Sequence, residues 1–171
     1  MSAGPSKSDS PYSSAASTAV QSAALQSPAD RWAAEAGDGL LLLGRLAIGV
    51  IFVESGFGKL MNLDGFATGL SERGLPVPMV LAIIGAAIEF LGGLAVVVGF
   101  KARYGALLLV AFTIAATLIA HRYWDVEEAG RRMQEIQFFK NLAIAGGFLF
   151  LFVSGSGRFS LDRLLRRRAA D

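Results

Sequence analysis

The sequence contains no cysteine, and His121 is its single histidine. Without cysteine the chain can form no disulfide, offer no thiolate and ligate no iron–sulfur cluster by itself. One histidine can neither supply two haem ligands nor build a histidine-rich zinc site. We therefore predict no metal site and no covalently bound cofactor, so that any electrons used by this protein must come from a partner.

Charged residues are also scarce. They make up 18% of the 171 residues, and hydrophobic residues make up 53%, whereas about a quarter of the residues in a soluble globular chain are charged. The charges are unevenly spread, and long stretches contain almost none. The formal net charge of +2 is too small to indicate a nucleic-acid partner. The composition instead predicts that membrane lipids are the main surroundings of the chain.

Four stretches of the sequence are long and apolar enough to cross a bilayer as helices. A hydrocarbon core of about 30 Å requires about 20 helical residues. The predicted spans are residues 40–60, 79–100, 103–121 and 138–154. Glycine and alanine recur along one side of several spans and permit close helix packing in lipid. The sequence therefore predicts an all-α polytopic membrane protein, a four-transmembrane-helix bundle with short interfacial helices.

The segments outside the bundle differ in composition. Residues 1–37 are rich in serine and alanine and cannot bury enough apolar surface to fold, which predicts a disordered tail with a short frayed helix at about residues 15–25. Residues 38–157 form the predicted membrane domain, and residues 158–171 form a basic segment at the membrane surface. Because this segment and the Lys101–Arg103 turn are basic, the positive-inside rule places both termini in the cytoplasm.

Polar and ionisable side chains inside the spans are the candidate functional residues. A charge at the centre of a span costs about 2.5–3.5 kcal/mol, so such groups usually face the bundle interior and find partners. From a rise of about 1.5 Å per residue, we expect one pocket that opens to the outer side, with a carboxylate beneath it. The candidate residues for this pocket are Glu54, Lys59, Glu89, His121, Lys140 and Asn141.

Two interpretations of these charges remain open. In the functional one, the pocket binds a small polar head group such as a quinone ring or an oxyanion. Lys59 and Lys140 then donate to its oxygen atoms, and Glu54 or Glu89 accepts protons. In the structural one, the charges only hold the bundle together, Glu54 with Lys140 and Glu89 with Arg45. His121 is then an ordinary residue at the membrane boundary.

Four blocks of the sequence, taken in order, resemble one family. They are R-L-A-I-G-V-I-F-V-E-S-G-F-G-K-L at residues 45–60, G-F-A-T-G-L-S-E-R-G-L-P-V-P at 65–78, I-E-F-L-G-G-L-A-V-V-V-G-F-K-A-R at 88–103 and F-F-K-N-L-A-I-A-G-G at 138–147. Together they cover about residues 40–155 and are similar to the DoxX family of small bacterial membrane proteins. The resemblance implies a four-helix fold in the bacterial inner membrane.

The resemblance also implies a class of function. One branch of the family, DoxD, forms the membrane part of a thiosulfate:quinone oxidoreductase, and other members look linked to oxidative-stress complexes with a sulfurtransferase and superoxide dismutase. For this chain the resemblance implies a quinone-binding accessory subunit with a soluble or membrane-bound redox partner. A homo-oligomer is also compatible with it. The alternative is a non-catalytic permease or assembly scaffold, in which Arg45 and Glu89 form a structural or gating pair.

Overall fold

The computed structural model describes residues 27–169, and within that range the chain forms six α-helices, one 3-10 turn at Tyr123–Asp125 and no strand. The helices are α1 (Pro28–Met61), α2 (Leu63–Glu72), α3 (Pro78–Val98), α4 (Ala102–Ala120), α5 (Glu128–Ser154) and α6 (Leu161–Arg168). Four of them, α1, α3, α4 and α5, are long and apolar enough to cross a membrane. The predicted all-α polytopic fold is therefore confirmed.

Helix α1 begins well before the predicted span. The Asp30 N–H donates to Ser27 Oγ over 3.2 Å, and the Ser27 N–H donates to the Asp30 carboxylate over 2.9 Å. This reciprocal capping, with Pro28 in the first helical position, starts a helix. Residues 28–37, which we predicted to belong to a disordered tail, are therefore helical. The rest of that prediction concerns residues 1–26, which lie outside the described range.

Helices α1 and α3 run antiparallel and approach each other at glycines. Gly49 lies against Gly93, and Gly56 lies against Phe90. A Cβ added at Gly56 would collide with the Phe90 backbone, and one added at Gly93 would lie 2.8 Å from the backbone nitrogen of Val53. Because backbone atoms cannot move aside as a flexible side chain can, both positions require glycine. This contact sets which residues of α1 and α3 face each other.

An apolar core joins the four long helices. The rings of Phe52 on α1 and Phe148 on α5 meet edge to face, with centroids 5.1 Å apart. Val96 on α3 and Leu109 on α4 belong to the same buried cluster. Outside it, the long helices expose many large apolar side chains, among them Phe150, which is 79% exposed. Apolar exposure on this scale is typical of a surface that faces lipid.

The connection between α5 and α6 is bound at one end of the bundle. Arg45 of α1 is buried and donates to the carbonyl oxygens of Ser156 and Phe159, each over 2.6 Å. The Asp162 carboxylate accepts from the Lys101 N–H over 2.8 Å, and so caps the start of α4, which has no side-chain cap of its own. These contacts hold the beginning of α6 against the turn between α3 and α4.

Candidate functional site

A cavity of about 470 Å³ lies among helices α1 to α5. Most of its wall is apolar, with Ile84, Phe112 and Ala116 among the lining residues. Its polar lining residues are Ser55, Lys59, Glu89, Thr113, His121, Gln137, Lys140 and Asn141. A mainly apolar cleft with a few polar side chains is the usual form of a small-molecule site. Five of the six residues predicted for the pocket, all except Glu54, lie in this wall.

An ion pair between Lys59 and Glu89 is the central polar feature of the cavity. Lys59 Nζ lies 2.6 Å from Glu89 Oε2 and donates to Ser55 Oγ over 2.7 Å. The Lys59 ammonium also lies 5.4 Å from the centroid of the Phe66 ring, within range of a cation–π contact. Its third donor has no hydrogen-bond partner among residues 27–169. The pair is therefore neutralised but still able to donate to a molecule in the cavity.

The pair lies deep in the bundle. Glu89 is near the middle of α3, and its side chain is 8% exposed, against 29% for Lys59. Lys59 is the second-last residue of its predicted span, residues 40–60. It nevertheless lies level with Glu89, since α1 ends there and α2 continues along α3, with Phe66 packed near Gly85. The opposite charge and the hydrogen bond offset the cost of burial.

The opposite wall, on α4 and α5, is lined by neutral polar groups. Asn141 Nδ2 donates to Thr117 Oγ1 over 3.0 Å, and Thr117 Oγ1 donates to the Thr113 carbonyl over 2.6 Å. Thr113 Oγ1 is buried and lacks a hydrogen-bond partner among the described residues. A buried hydroxyl without a partner is uncommon and points to an unmet contact, such as a water or a ligand. This hydroxyl belongs to a residue that lines the cavity.

His121 and Lys140 lie at the rim of the cavity. His121 Nδ1 is 2.8 Å from Gln134 Oε1, which orients the ring at the end of α4. Lys140 is exposed and forms no ion pair with any carboxylate of residues 27–169. The predicted Glu54–Lys140 pair is therefore not formed. Lys140 instead offers a cation next to the cavity that already contains the Lys59–Glu89 pair.

Glu54 does not reach the cavity, which corrects our expectation. Glu54 is exposed, whereas Lys59, which is also on α1, faces Glu89 of α3. Five residues along an α-helix rotate the side chain by about 140° from its starting direction. Since Lys59 faces inward, that rotation turns Glu54 outward. Depth along the helix was a poor guide here because it ignores which face of the helix a residue occupies.

Arg45 and Glu89 do not form the predicted pair either. The Arg45 guanidinium lies beside Gly99, at the end of α3, and binds the α5–α6 connection. Glu89 is ten residues earlier in α3, a separation of about 15 Å along the helix axis. The two charges are too far apart to meet, and Glu89 takes Lys59 as its partner. The register between α1 and α3 determines which residue pairs with Glu89, and this register cannot be predicted from the sequence of either helix alone.

Sequence reasoning missed three polar residues in the cavity wall, Ser55, Thr113 and Gln137. A usable signal was present, because each lies one helical turn from another polar residue on the same face. Ser55 comes four residues before Lys59, and Gln137 comes four residues before Asn141. Uncharged polar residues cost little to insert in a span, so they stand out less than charges do.

Comparison with known proteins places these features in a family. The DoxX family model matches residues 40–122. Inner membrane protein YphA of Escherichia coli strain K12 is 40% identical over 72% of this chain and 89% of its own length. The chain belongs to the DoxX family. Inner membrane protein YqjF of the same strain is 33% identical over 75% of this chain and 93% of its own length. No solved structure matches this chain.

A third relative of this DoxX-family protein, an uncharacterised membrane protein of Mycobacterium tuberculosis, is 29% identical over 73% of this chain and 80% of its own length. The named relatives and the four apolar helices make the chain a multi-pass membrane protein. The range matched by the family model includes Lys59 and Glu89 and ends just after α4. Lys140 and Asn141 of α5 lie beyond that range.

Proposed function

We propose that this DoxX-family protein binds a quinone or a quinone-like molecule in the cavity, as a subunit of a membrane oxidoreductase or oxidative-stress complex. The observation that carries the proposal is the Lys59–Glu89 ion pair, which lies deep in the bundle in the wall of a mainly apolar cavity. An apolar wall suits the ring and tail of a lipid-soluble molecule. The charged pair suits its oxygen atoms and its protons.

Polar groups on both walls of the cavity contribute to binding the quinone. Lys59 provides the donor that has no partner among residues 27–169, for a hydrogen bond to one ring oxygen. On the opposite wall, Thr113 Oγ1 also lacks a partner among those residues, and rotation of this buried side chain towards the cavity would give a second contact. Glu89 is the group that exchanges protons with the bound molecule, because reduction of a quinone to a quinol takes up two protons for two electrons. The electrons come from a partner, since no cysteine is available for a redox cluster.

The proposal is tested by measuring the quinone that purifies with the protein. The wild-type chain is isolated from membranes in mild detergent, extracted with organic solvent and assayed by mass spectrometry for quinone per protein molecule. We expect Lys59→Met to lower quinone occupancy about tenfold, because a charge-assisted hydrogen bond is lost. Glu54→Gln is the matched control for Glu89→Gln, since both remove one carboxylate but only Glu89 lines the cavity.

Quinone content distinguishes this proposal from its alternatives. A wild-type protein that remains free of quinone, even after reconstitution with an excess of it, would remove the proposal. Equal occupancy in Glu89→Gln and Glu54→Gln would show that the carboxylate in the cavity has no part in binding. Either result would leave the fold and the family assignment unaffected.

A second candidate function is a permease or a membrane assembly scaffold without catalytic activity. The observation that favours it is that Glu89 already has a close partner within the chain, Lys59, so that the pair can serve as a structural or gating contact. In that case Glu89→Gln alters transport or complex assembly while quinone content stays unchanged. Measuring both quantities on the same preparations separates the two candidate functions.

A further inference from the structure

A second cavity, of about 740 Å³, lies at the end of the bundle where the α3–α4 turn meets the α5–α6 connection. Five basic residues line it, namely Lys101, Arg103, Arg158, Arg163 and Arg166. They come from the start of α4, from the α5–α6 connection and from α6. Residues from three separate parts of the chain thus give this second cavity a positive charge.

The two carboxylates in the same lining are already occupied. Asp162 accepts from the backbone N–H of Lys101 at the start of α4. Asp38 accepts from the Arg158 N–H over 2.7 Å and lies 3.7 Å from its side-chain Nε. The cavity therefore keeps an excess of positive charge, and within residues 27–169 no carboxylate pairs with the guanidinium group of Arg163 or Arg166.

One hydroxyl group and an apolar border complete the site. The Ser154 and Ser156 hydroxyls in the lining already donate to Phe150 O and Ser160 Oγ, whereas the Tyr104 hydroxyl, also in the lining, can donate to a phosphate oxygen. Tyr104 is 75% exposed on α4, and Val153 is 74% exposed on the adjoining end of α5. The basic cavity thus lies next to the apolar outer surface of two membrane-crossing helices. A ligand with a phosphate at one end and hydrocarbon at the other fits both parts.

The geometry points to a binding site for the phosphate group of an anionic phospholipid from the surrounding membrane. Guanidinium groups bind phosphate through two parallel hydrogen bonds, and basic pockets at helix ends suit anionic head groups. Free phosphate can form the same hydrogen bonds, but it has no hydrocarbon chain to contact the apolar border. The site is separate from the cavity that contains Lys59 and Glu89, and it does not depend on the function proposed for that cavity.

The test compares two double variants of α6 that lose the same charge. Arg163→Gln with Arg166→Gln removes two residues of the cavity lining, whereas Arg167→Gln with Arg168→Gln removes two neighbours outside it. Each protein is reconstituted in nanodiscs that contain equal amounts of phosphatidylglycerol and phosphatidylcholine. It is then released into detergent, and native mass spectrometry counts the lipids that remain bound. Circular dichroism checks that each variant is folded.

We expect the wild type and the Arg167/Arg168 variant to retain phosphatidylglycerol over phosphatidylcholine, and the Arg163/Arg166 variant to lose that preference by about fivefold or more. Equal losses in both variants would indicate attraction to the charge of α6 as a whole and overturn the site. So would equal retention of the two lipids by the wild type. If the first variant does not fold, Arg166→Gln is compared with Arg167→Gln in the same way.

A parallel measurement separates the lipid from a free anion. The wild type in nanodiscs of phosphatidylcholine alone is heated with increasing inorganic phosphate, and its unfolding temperature is followed. We expect no shift at millimolar phosphate and a clear rise when phosphatidylglycerol replaces part of the phosphatidylcholine. A rise with inorganic phosphate equal to that with the lipid would overturn the assignment to a phospholipid.

Discussion

Two cations of the same helix, Arg45 and Lys59, are held in different ways. Arg45 is 1% exposed and donates to two backbone carbonyls, and its Nε has no partner among the described residues. Lys59 keeps 29% of its side chain exposed, faces the carboxylate of Glu89 and borders a cavity. Arg45 is enclosed by protein atoms and stabilises the fold. Lys59 borders a cavity, so a molecule can bind next to its charge.

The largest effect that would test this comparison is expected at Arg45. Arg45→Met removes both hydrogen bonds to the α5–α6 connection and leaves two carbonyls without a donor, which should lower the free energy of unfolding by about 3 kcal/mol. Reversible unfolding in mixed detergent micelles measures it. Arg158→Met is the control on the same connection, because that side chain is 69% exposed and should cost less than about 1 kcal/mol. Equal costs would contradict a structural role for Arg45.

A somewhat smaller effect is expected from Lys59→Met. The substitution leaves Glu89 buried without its counter-charge, which should cost about 2–3 kcal/mol of stability. Adding Glu89→Leu should recover most of that loss, because a buried ion pair replaced by apolar residues is often neutral for stability. Quinone occupancy, in contrast, should stay low in both proteins. If the double variant recovers quinone together with stability, the pair is a packing element and not a binding group.

The close contact between α1 and α3 is tested by a pair of glycine substitutions. Gly56→Ala places a methyl group against the backbone of Phe90, whereas Gly58→Ala meets nothing within 4 Å. We expect the first to lower the free energy of unfolding by about 1–3 kcal/mol. The second should leave it unchanged or raise it slightly, because alanine favours a helix more than glycine does. Similar stabilities would mean that α1 and α3 do not meet at Gly56.

The extent of the fold was predictable because it depends on local composition. A run of about 20 apolar residues predicts a span from its own sequence alone, and all four long apolar helices were expected. The start of α1 was missed, although Ser27, Pro28 and Asp30 are a recognisable helix start. These residues lie outside the apolar run from which the first span was predicted. Helix ends depend on a few capping side chains and not on hydropathy.

The cavity was predictable only in part. Residue depth along each span predicted one pocket for Lys59, Glu89, Asn141 of the opposite wall, and His121 and Lys140 of the rim, and all five line the same cavity. Glu54 and Arg45 were misplaced because rotation about a helix and register between helices arise from packing. The contact of Gly56 with Phe90 sets that register. The sequence alone does not predict which residue of another helix a glycine will contact.

The smallest expected effect concerns two threonines one turn apart in α4. Thr113→Val removes a hydroxyl without a partner among the described residues, so stability should change by less than about 0.5 kcal/mol. Thr117→Val removes the acceptor of Asn141 and should cost about 1 kcal/mol. Quinone occupancy should show the reverse order and fall several-fold only for Thr113→Val, because Thr117 Oγ1 is already bonded to Asn141 Nδ2 and to the Thr113 carbonyl. If occupancy follows stability instead, the Thr113 hydroxyl does not contact the ligand, and Lys59 would be left as the only donor we assign to it.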